Sequence, residues 1–343
     1  MGAGDTAYQT YTTHPYREGL SDSNDLILCC PQCHGQLEEH NEGLRCTVCE
    51  RTFRRVNGLM RFVDTQFYAS SFGYQWQRYP RVQWGELSEK TFDRKTGFDR
   101  SRLQGKLVLD VGCGTGRFVD VVSRSGARAV GIDLSAAAEV AARNLSDRPN
   151  VTIYQADVFH LPFKPESFDF IYSIGVLHHT PDCKQAFESL VPLLKPGGQI
   201  AIWLYSAYDK WYRMADSYRA VTSRMPAPWL RGLCQVARPM YYVYHGIRKI
   251  PLAGRAASGV LRFLFPMPLD QRDGTLRVLD TFDWYSPKYQ SKHTYEEVFR
   301  WFEACGLENL RVIEQPIAVQ GRKPAAVEIS ESHVESEISQ CAG

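Results

Sequence analysis

The middle of the chain alternates short apolar runs with stretches of helical period. "KLVLD" (106–110) runs into a glycine-rich turn, "RAVGID" (128–133) ends on an acid, and "VTIYQ" (151–155) leads into "ADVFHLPF". "FDFIYSIGVL" (168–177) and "QIAIWLY" (199–205) complete a set of five. Apolar runs of this length, bounded by turn residues, read as buried strands, and "AAAEVAARNL" (136–145) falls between two of them with helical spacing. Strands alternating with helices predict an α/β fold, a mostly parallel sheet with helices on both faces. Ligands in such sheets sit beyond the carboxyl ends of the strands, beside the first one.

Past residue 293 the pattern resumes. "HTYEEVFRWFEACGL" carries a capping box from Thr294 to Glu297, apolar positions at helical spacing and a stop at Gly306. "ENLRVIEQ" and "PAAVEIS" are expected to be the closing antiparallel strands. The expected division is therefore a Rossmann-like core over 106–205, an insertion after strand five over 206–293, and a closing helix and strands over 294–330. Seven strands in all are expected in that sheet.

The glycines of the first turn stand at 112, 114 and 116. A dinucleotide fingerprint, GxGxxG, would need glycine at 117, where the chain has Arg117. The glycines still allow a ligand close approach to the backbone, and the helix that follows favours an anion at its N-terminus.

Ten cysteines sharpen the picture at the front, because five of them crowd between positions 29 and 49. "CPQC" (Cys30, Cys33) and "CTVC" (Cys46, Cys49) are two knuckles, each turning two thiolates onto one ion, and together they complete a tetrahedral four-sulfur zinc site. Zinc supplies folding free energy that so small a unit cannot find in its own core, and four protein ligands leave no open position for chemistry. Residues 26–63 are thus expected to be a small structural zinc ribbon. Cys29 is then a spare core thiol, and His34 has no vacancy to fill. The same reasoning removes a metal-ligand role from the adjacent pair His178 and His179 in "VLHHTPD". Residues 1–25 are expected to be flexible and 331–343 disordered. The aromatic segment within 64–105, "ASSFGYQWQRYPRVQW", either covers the cofactor or packs between the two folded units.

Overall charge is nearly balanced, at +2, but its distribution is not. From Ser217 to Leu269 there is no Asp or Glu, while eight Arg or Lys occur, so the remainder of the chain carries −6. Interleaved "WLRGLC", "MYYVY" and "VLRFLF" fit helices lying on a membrane surface or capping an anionic substrate. No apolar run is long enough to cross a bilayer and no secretion signal precedes the ribbon. The cysteine usage fits a reducing cytoplasm, with peripheral membrane contact as an addition.

Two resemblances add to this reading. "LCCPQCHGQL…LRCTVCERTF…NGLMRF" resembles the zinc ribbon of the small activators that partner tRNA and translation-factor methyltransferases, here fused to its enzyme, which implies that no separate activator is needed. "VLDVGCGTG", the acid ending strand two and "ADVFHLPF" resemble class I S-adenosylmethionine-dependent methyltransferases of the type 11 kind. That second resemblance implies cofactor binding by Asp110, Gly112, Cys113, Gly114 and Gly116 at the methionine end, and by Asp133 and Leu134 at the ribose. It further implies Asp157 and Val158 at the adenine, and Ser173 among the cofactor-binding residues. It places His178 and His179 on the rim where methyl acceptors enter, as a general base or as rim packing. His293 joins them as a catalytic candidate, and Asp283, Tyr285 and Tyr289 as acceptor-side candidates. The expected function is methyl transfer to a small-molecule, lipid- or sugar-linked acceptor, with RNA as the alternative substrate and a non-catalytic scaffold as the alternative class.

Overall fold

The computed structural model describes residues 28–63, 69–269, 272–313 and 315–325, without the side chains of 210–213. The expected flexible N-terminus and disordered tail lie outside these residues.

The ribbon comprises β1 (Leu37–His40), β2 (Gly43–Cys46), β3 (Thr52–Val56) and β4 (Leu59–Arg61). Helices α1 (Ser70–Arg78) and α2 (Glu86–Thr96) fill the aromatic segment that follows. The core then runs β5 (Leu107–Val111), α3 (Arg117–Arg124), β6 (Arg128–Asp133), α4 (Ala137–Asn144), β7 (Val151–Gln155), β8 (Phe168–Ile174), α5 (Cys183–Glu188) and β9 (Leu194–Trp203). The insertion is helical: α6 (Lys210–Thr222), α7 (Ala227–Cys234), α8 (Ala237–Arg248), α9 (Gly254–Leu264) and α10 (Gly274–Tyr285). The chain closes with α11 (Tyr295–Ala304), β10 (Glu308–Val312) and β11 (Ala318–Arg322).

All eleven strands belong to one sheet, ordered β1-β2-β3-β4-β7-β6-β5-β8-β9-β11-β10. The last seven in that order form the expected methyltransferase-type sheet. The ribbon is not a separate bead: β4 pairs in parallel with β7, aligning Met60 with Tyr154 and Arg61 with Gln155. Phe62 extends the pairing by donating its N–H to the Gln155 carbonyl at 2.8 Å, and its ring meets Tyr154 edge-on at 5.8 Å. Arg61 crosses to Glu139 on α4 at 2.7 Å. Burying a ring the size of Phe62 stabilises by about 1.5–3 kcal/mol, so the contact is apolar first and ionic second.

Side chains alternate across the strands, as the period of two requires. Leu107, Leu109 and Val111 join the ribbon and the α5–α11 side of the core, while Val108 joins the side covered by α2, α3 and α4. Thr294 caps α11 by accepting the Glu297 N–H at 3.3 Å, and Gly306 follows in the left-handed region. The closing strand β11 is "AVQGR", while the expected strand "PAAVEIS" lies mostly outside the described residues. Gly321 is a packing residue: a Cβ there would lie 2.6 Å from the Phe302 ring of α11.

The insertion leaves and returns at one point. Ser206 bridges His293 in parallel, with Ala207 N–H donating to the His293 carbonyl and His293 N–H to the Tyr205 carbonyl, both at 2.9 Å. Its helices bury their own small clusters, one around Leu230, Cys234, Val278 and Phe282 and another around Ala237, Tyr244 and Met267. Asp273 caps α10 by accepting from the Thr275 and Leu276 N–H groups.

Candidate active site and metal centre

The four knuckle thiols, Cys30, Cys33, Cys46 and Cys49, gather with every sulfur within 4.8 Å of the others. Cys30 and Cys49 are 3.6 Å apart and Cys33 and Cys46 3.4 Å. Sulfurs bound tetrahedrally to zinc stand roughly 3.8 Å apart, so the donor set fits that ion. Cys29 is buried outside this group, its sulfur 4.0 Å from His34 Nδ1. Purified protein is expected to carry one zinc per chain by metal analysis. Cys46→Ser should lose the metal and aggregate, because a loosened β4 uncovers the apolar edge beside β7.

The second site is a cleft of about 480 Å³ at the carboxyl ends of β5, β6 and β8, within the size range of small-molecule and cofactor sites. The β5–α3 turn forms its floor. Gly112 has φ +78°, and a Cβ there would meet Val176 at 2.4 Å, so only glycine fits. Cys113, Gly114, Asp133, Leu134 and Val158 line the cleft. Gly114 N–H donates to Asp133 Oδ2 at 2.9 Å, and Ser135 supplies its N–H and hydroxyl to Oδ1. These bonds orient the carboxylate and still leave lone pairs for a pair of ligand hydroxyls.

Asp110, buried beneath the turn, has an oxygen without a partner. Burial pushes its carboxyl up to about 8, opposed by the nearby Tyr172 hydroxyl. An orphaned buried carboxyl under a glycine turn suits a cationic ligand group, and the amino end of S-adenosylmethionine is such a group. Trp76 of α1 approaches the Gly114 side of the turn, and Trp84 Nε1–H donates to Thr115 at 3.1 Å. The aromatic segment therefore both covers the cleft and packs on the core.

Besides Asp110 beneath the turn, three residues implied at the cofactor lie outside the cleft lining, and one of them, Gly116, packs against Leu145 and Ala141 at α4. The Asp157 carboxylate accepts from Phe159 N–H and caps its own turn, while its neighbours Ala156 and Val158 face the cleft. Ser173 is fully buried and donates to the Val111 carbonyl, tying β8 to β5 below the floor.

The two histidines occupy a single short turn, Leu177–His179, and differ sharply. His178 is fully buried, stacks on Tyr205 at 4.0 Å, and has no partner for either ring nitrogen. Burial, with His179 close by, holds it well below the usual imidazole range. His179 lines the cleft. Its Nδ1 lies 3.1 Å from the Tyr289 carbonyl, an acceptor, so Nδ1 carries the proton and the partnerless Nε2 keeps a lone pair. Burial lowers its pKa too, so the ring is neutral at pH 7.

His293 is not in the cleft. It sits under the start of α11, with Nδ1 3.0 Å from Glu297, Nε2 2.7 Å from Ser291 Oγ, and its ring against Trp301. Tyr285 donates its hydroxyl to the Pro266 carbonyl and is likewise structural. Asp283 does face the cleft, accepting the Tyr205 hydroxyl at 2.5 Å.

The charge pattern gave no warning of Lys95 and Arg117, which both line the cleft. Lys95 comes from a helix that reads as a solvated face, yet its ammonium lies 3.3 Å from the centre of the Trp203 ring. Burial, reinforced by Arg117, lowers it to about 7.

A parallel sheet, an oriented acid ending its second strand and an orphaned carboxyl under a glycine turn form a site of the kind that the resemblance to class I methyltransferases implies. Comparison with known proteins agrees: residues 109–202 match the methyltransferase domain family. The human probable tRNA methyltransferase 9B is 32% identical over 152 residues, which is 43% of this chain and 31% of that protein. The ubiquinone biosynthesis O-methyltransferase of Coxiella burnetii is 35% identical over 100 residues, 29% of this chain and 43% of that one. This chain thus spans less than half the length of either curated relative. Among solved structures, human N-acetylserotonin methyltransferase in complex with S-adenosylmethionine covers 74% of this chain and 56% of its own, at 17% identity and a TM-score of 0.43.

Proposed function

We propose that the protein methylates a lipid-linked or similarly amphipathic acceptor drawn from an anionic membrane surface. The observation that carries this reading is the outer face of α7–α9. It exposes Trp229 (75%), Tyr242 (70%) and Phe263 (60%) together with the exposed Arg248, Lys249 and Arg255, in a stretch without acids. Soluble surfaces rarely gather large apolar side chains in this way, and cations between them favour anionic headgroups by about 1 kcal/mol each.

S-adenosylmethionine, when bound, supplies a methyl group already activated by positive sulfur. The residues of this chain then have three tasks. Asp110 and the glycine turn would hold the amino-acid end, and Asp133 the ribose. Trp76 and Phe72 would exclude water. His179 Nε2 would accept the proton of an acceptor hydroxyl or acidic carbon as its bond to the methyl forms. Tyr205, already donating to Asp283, would steady the acceptor side.

Sedimentation with vesicles tests the membrane part. Binding is expected to be strong with anionic vesicles, weak with neutral ones and reduced by salt. Glu at positions 248, 249 and 255 should abolish it while cofactor affinity stays unchanged. A protein that ignores anionic vesicles but binds tRNA with a steep salt dependence would reverse the assignment. That outcome would bring the chain's substrate toward the activity named for its tRNA methyltransferase relatives.

A further inference from the structure

A second cavity, about 790 Å³, lies between the start of α1, the C-terminal half of α6 and the end of α10. It backs directly onto the cleft. Ser71 lines it while Phe72 lines the cleft, and Phe282 lines it while Asp283 lines the cleft. Tyr289, whose carbonyl takes the proton of His179, also lines this cavity. Residues neighbouring both spaces thus surround the candidate base; the Phe72 ring lies tilted against His179, with centroids 4.9 Å apart.

The lining has a definite chemistry. Arg219, Arg224 and Lys288 supply cations from two separate stretches of the chain. The acid that lines it, Asp216, is already matched by Arg219 at 2.7 Å and by Lys292. Three cations therefore line the cavity with one carboxylate, which Arg219 and Lys292 already match, so Arg224 and Lys288 are in excess. The Ser71 and Ser286 hydroxyls are buried without any partner, and Ser286 is only 6% exposed. A buried hydroxyl left unbonded is destabilising, and a ligand oxygen would restore the missing hydrogen bond. Hydroxyl donors beside surplus arginine and lysine form a receptor for an oxyanion with several acceptor oxygens.

We propose that this cavity binds a phosphoryl group of the acceptor, holding it behind His179 while the methyl-accepting atom reaches the cleft. The proposal rests on the reading of the cleft as a methyl-transfer site and names the chemical handle of its substrate. The phosphoryl group can belong to a phospholipid headgroup or to a soluble phosphate ester.

The test uses the full chain with cofactor bound. Inorganic phosphate and micelle-free dihexanoyl phosphatidylglycerol are titrated by calorimetry into wild type, the exposed-residue double variant Arg224→Gln/Lys288→Gln, and Ser286→Ala. Both probes are expected to bind wild type, and each variant should weaken binding by about tenfold or more, with melting temperature and cofactor affinity unchanged. Phosphate binding without lipid binding assigns a soluble phosphate ester and keeps the site. Absence of phosphate binding to wild type, or binding indifferent to both variants, overturns it. Arg248, Lys249 and Arg255 lie outside this cavity. Loss of vesicle binding in their Glu variants, with phosphate binding intact, therefore bears on the membrane reading alone.

Discussion

Replacing His179 with alanine is expected to lower turnover by about a hundredfold or more, the usual contribution of a positioned general base, with cofactor affinity nearly unchanged. The expectation follows from the tautomer: the Tyr289 carbonyl fixes the proton on Nδ1, so Nε2 keeps an unpartnered lone pair on a residue that lines the cleft. The pH profile separates this role from packing. Because burial depresses the His179 pKa, the base stays competent at neutral pH and the rate should fall only on acidification below the ordinary imidazole range. Stability moves in the same direction. Both histidines are favoured neutral in the folded chain, so their contribution is complete above the unfolded value of about 6.5 and is lost as pH falls below it. His178→Ala should principally lower the melting temperature, since that ring is fully buried against Tyr205 and outside the cleft lining. Equal losses of rate per folded molecule in both variants would contradict the division of labour.

The second large effect concerns Asp110. Its carboxyl is pushed up to about 8, so the empty site holds it largely protonated at neutral pH. A cationic amino group can be received only by the carboxylate, and binding must therefore expel a proton. Cofactor affinity should rise as pH climbs toward about 8, by up to about tenfold per unit, and level off above. Asp110→Asn is expected to abolish both the slope and most of the affinity while raising the melting temperature of the ligand-free protein, because folding no longer buries an ionisable group. Calorimetry in buffers of different ionisation heat measures the proton directly. A pH-independent affinity in wild type would show that Asp110 does not meet the cationic end.

Local signals carried most of the architecture. Period, turn residues and knuckle spacing all act over a few positions, and they located the five core strands, the Thr294 cap and the four-thiol cluster. What they missed was set by distant packing. Nothing near Met60 announces that its strand will align with Tyr154, because that pairing depends on a sheet edge ninety residues later. Nothing near Gly321 announces that Phe302 will lie across it. The same limit applies in the cleft. His293 matched the chemistry expected of an acceptor site, but backbone pairing at the root of the insertion places it under α11. Lys95 sits in a helix whose acids Glu89 and Asp93 pair with Arg100 and Arg124 of neighbouring segments, and its position over Trp203 follows from how α2 crosses the strand ends.

The junction of β4 with β7 has a further consequence. In an assembly of two chains, dilution would separate ribbon from catalytic domain, and their relative expression would set how much complex forms. Here the partner is tethered, its local concentration is fixed by the linker, and the stoichiometry is always one to one. Metal occupancy then replaces partner abundance as the quantity on which the state of that edge depends. Any ligand that binds better when the edge is in place must tighten zinc binding by the same factor that zinc tightens its own.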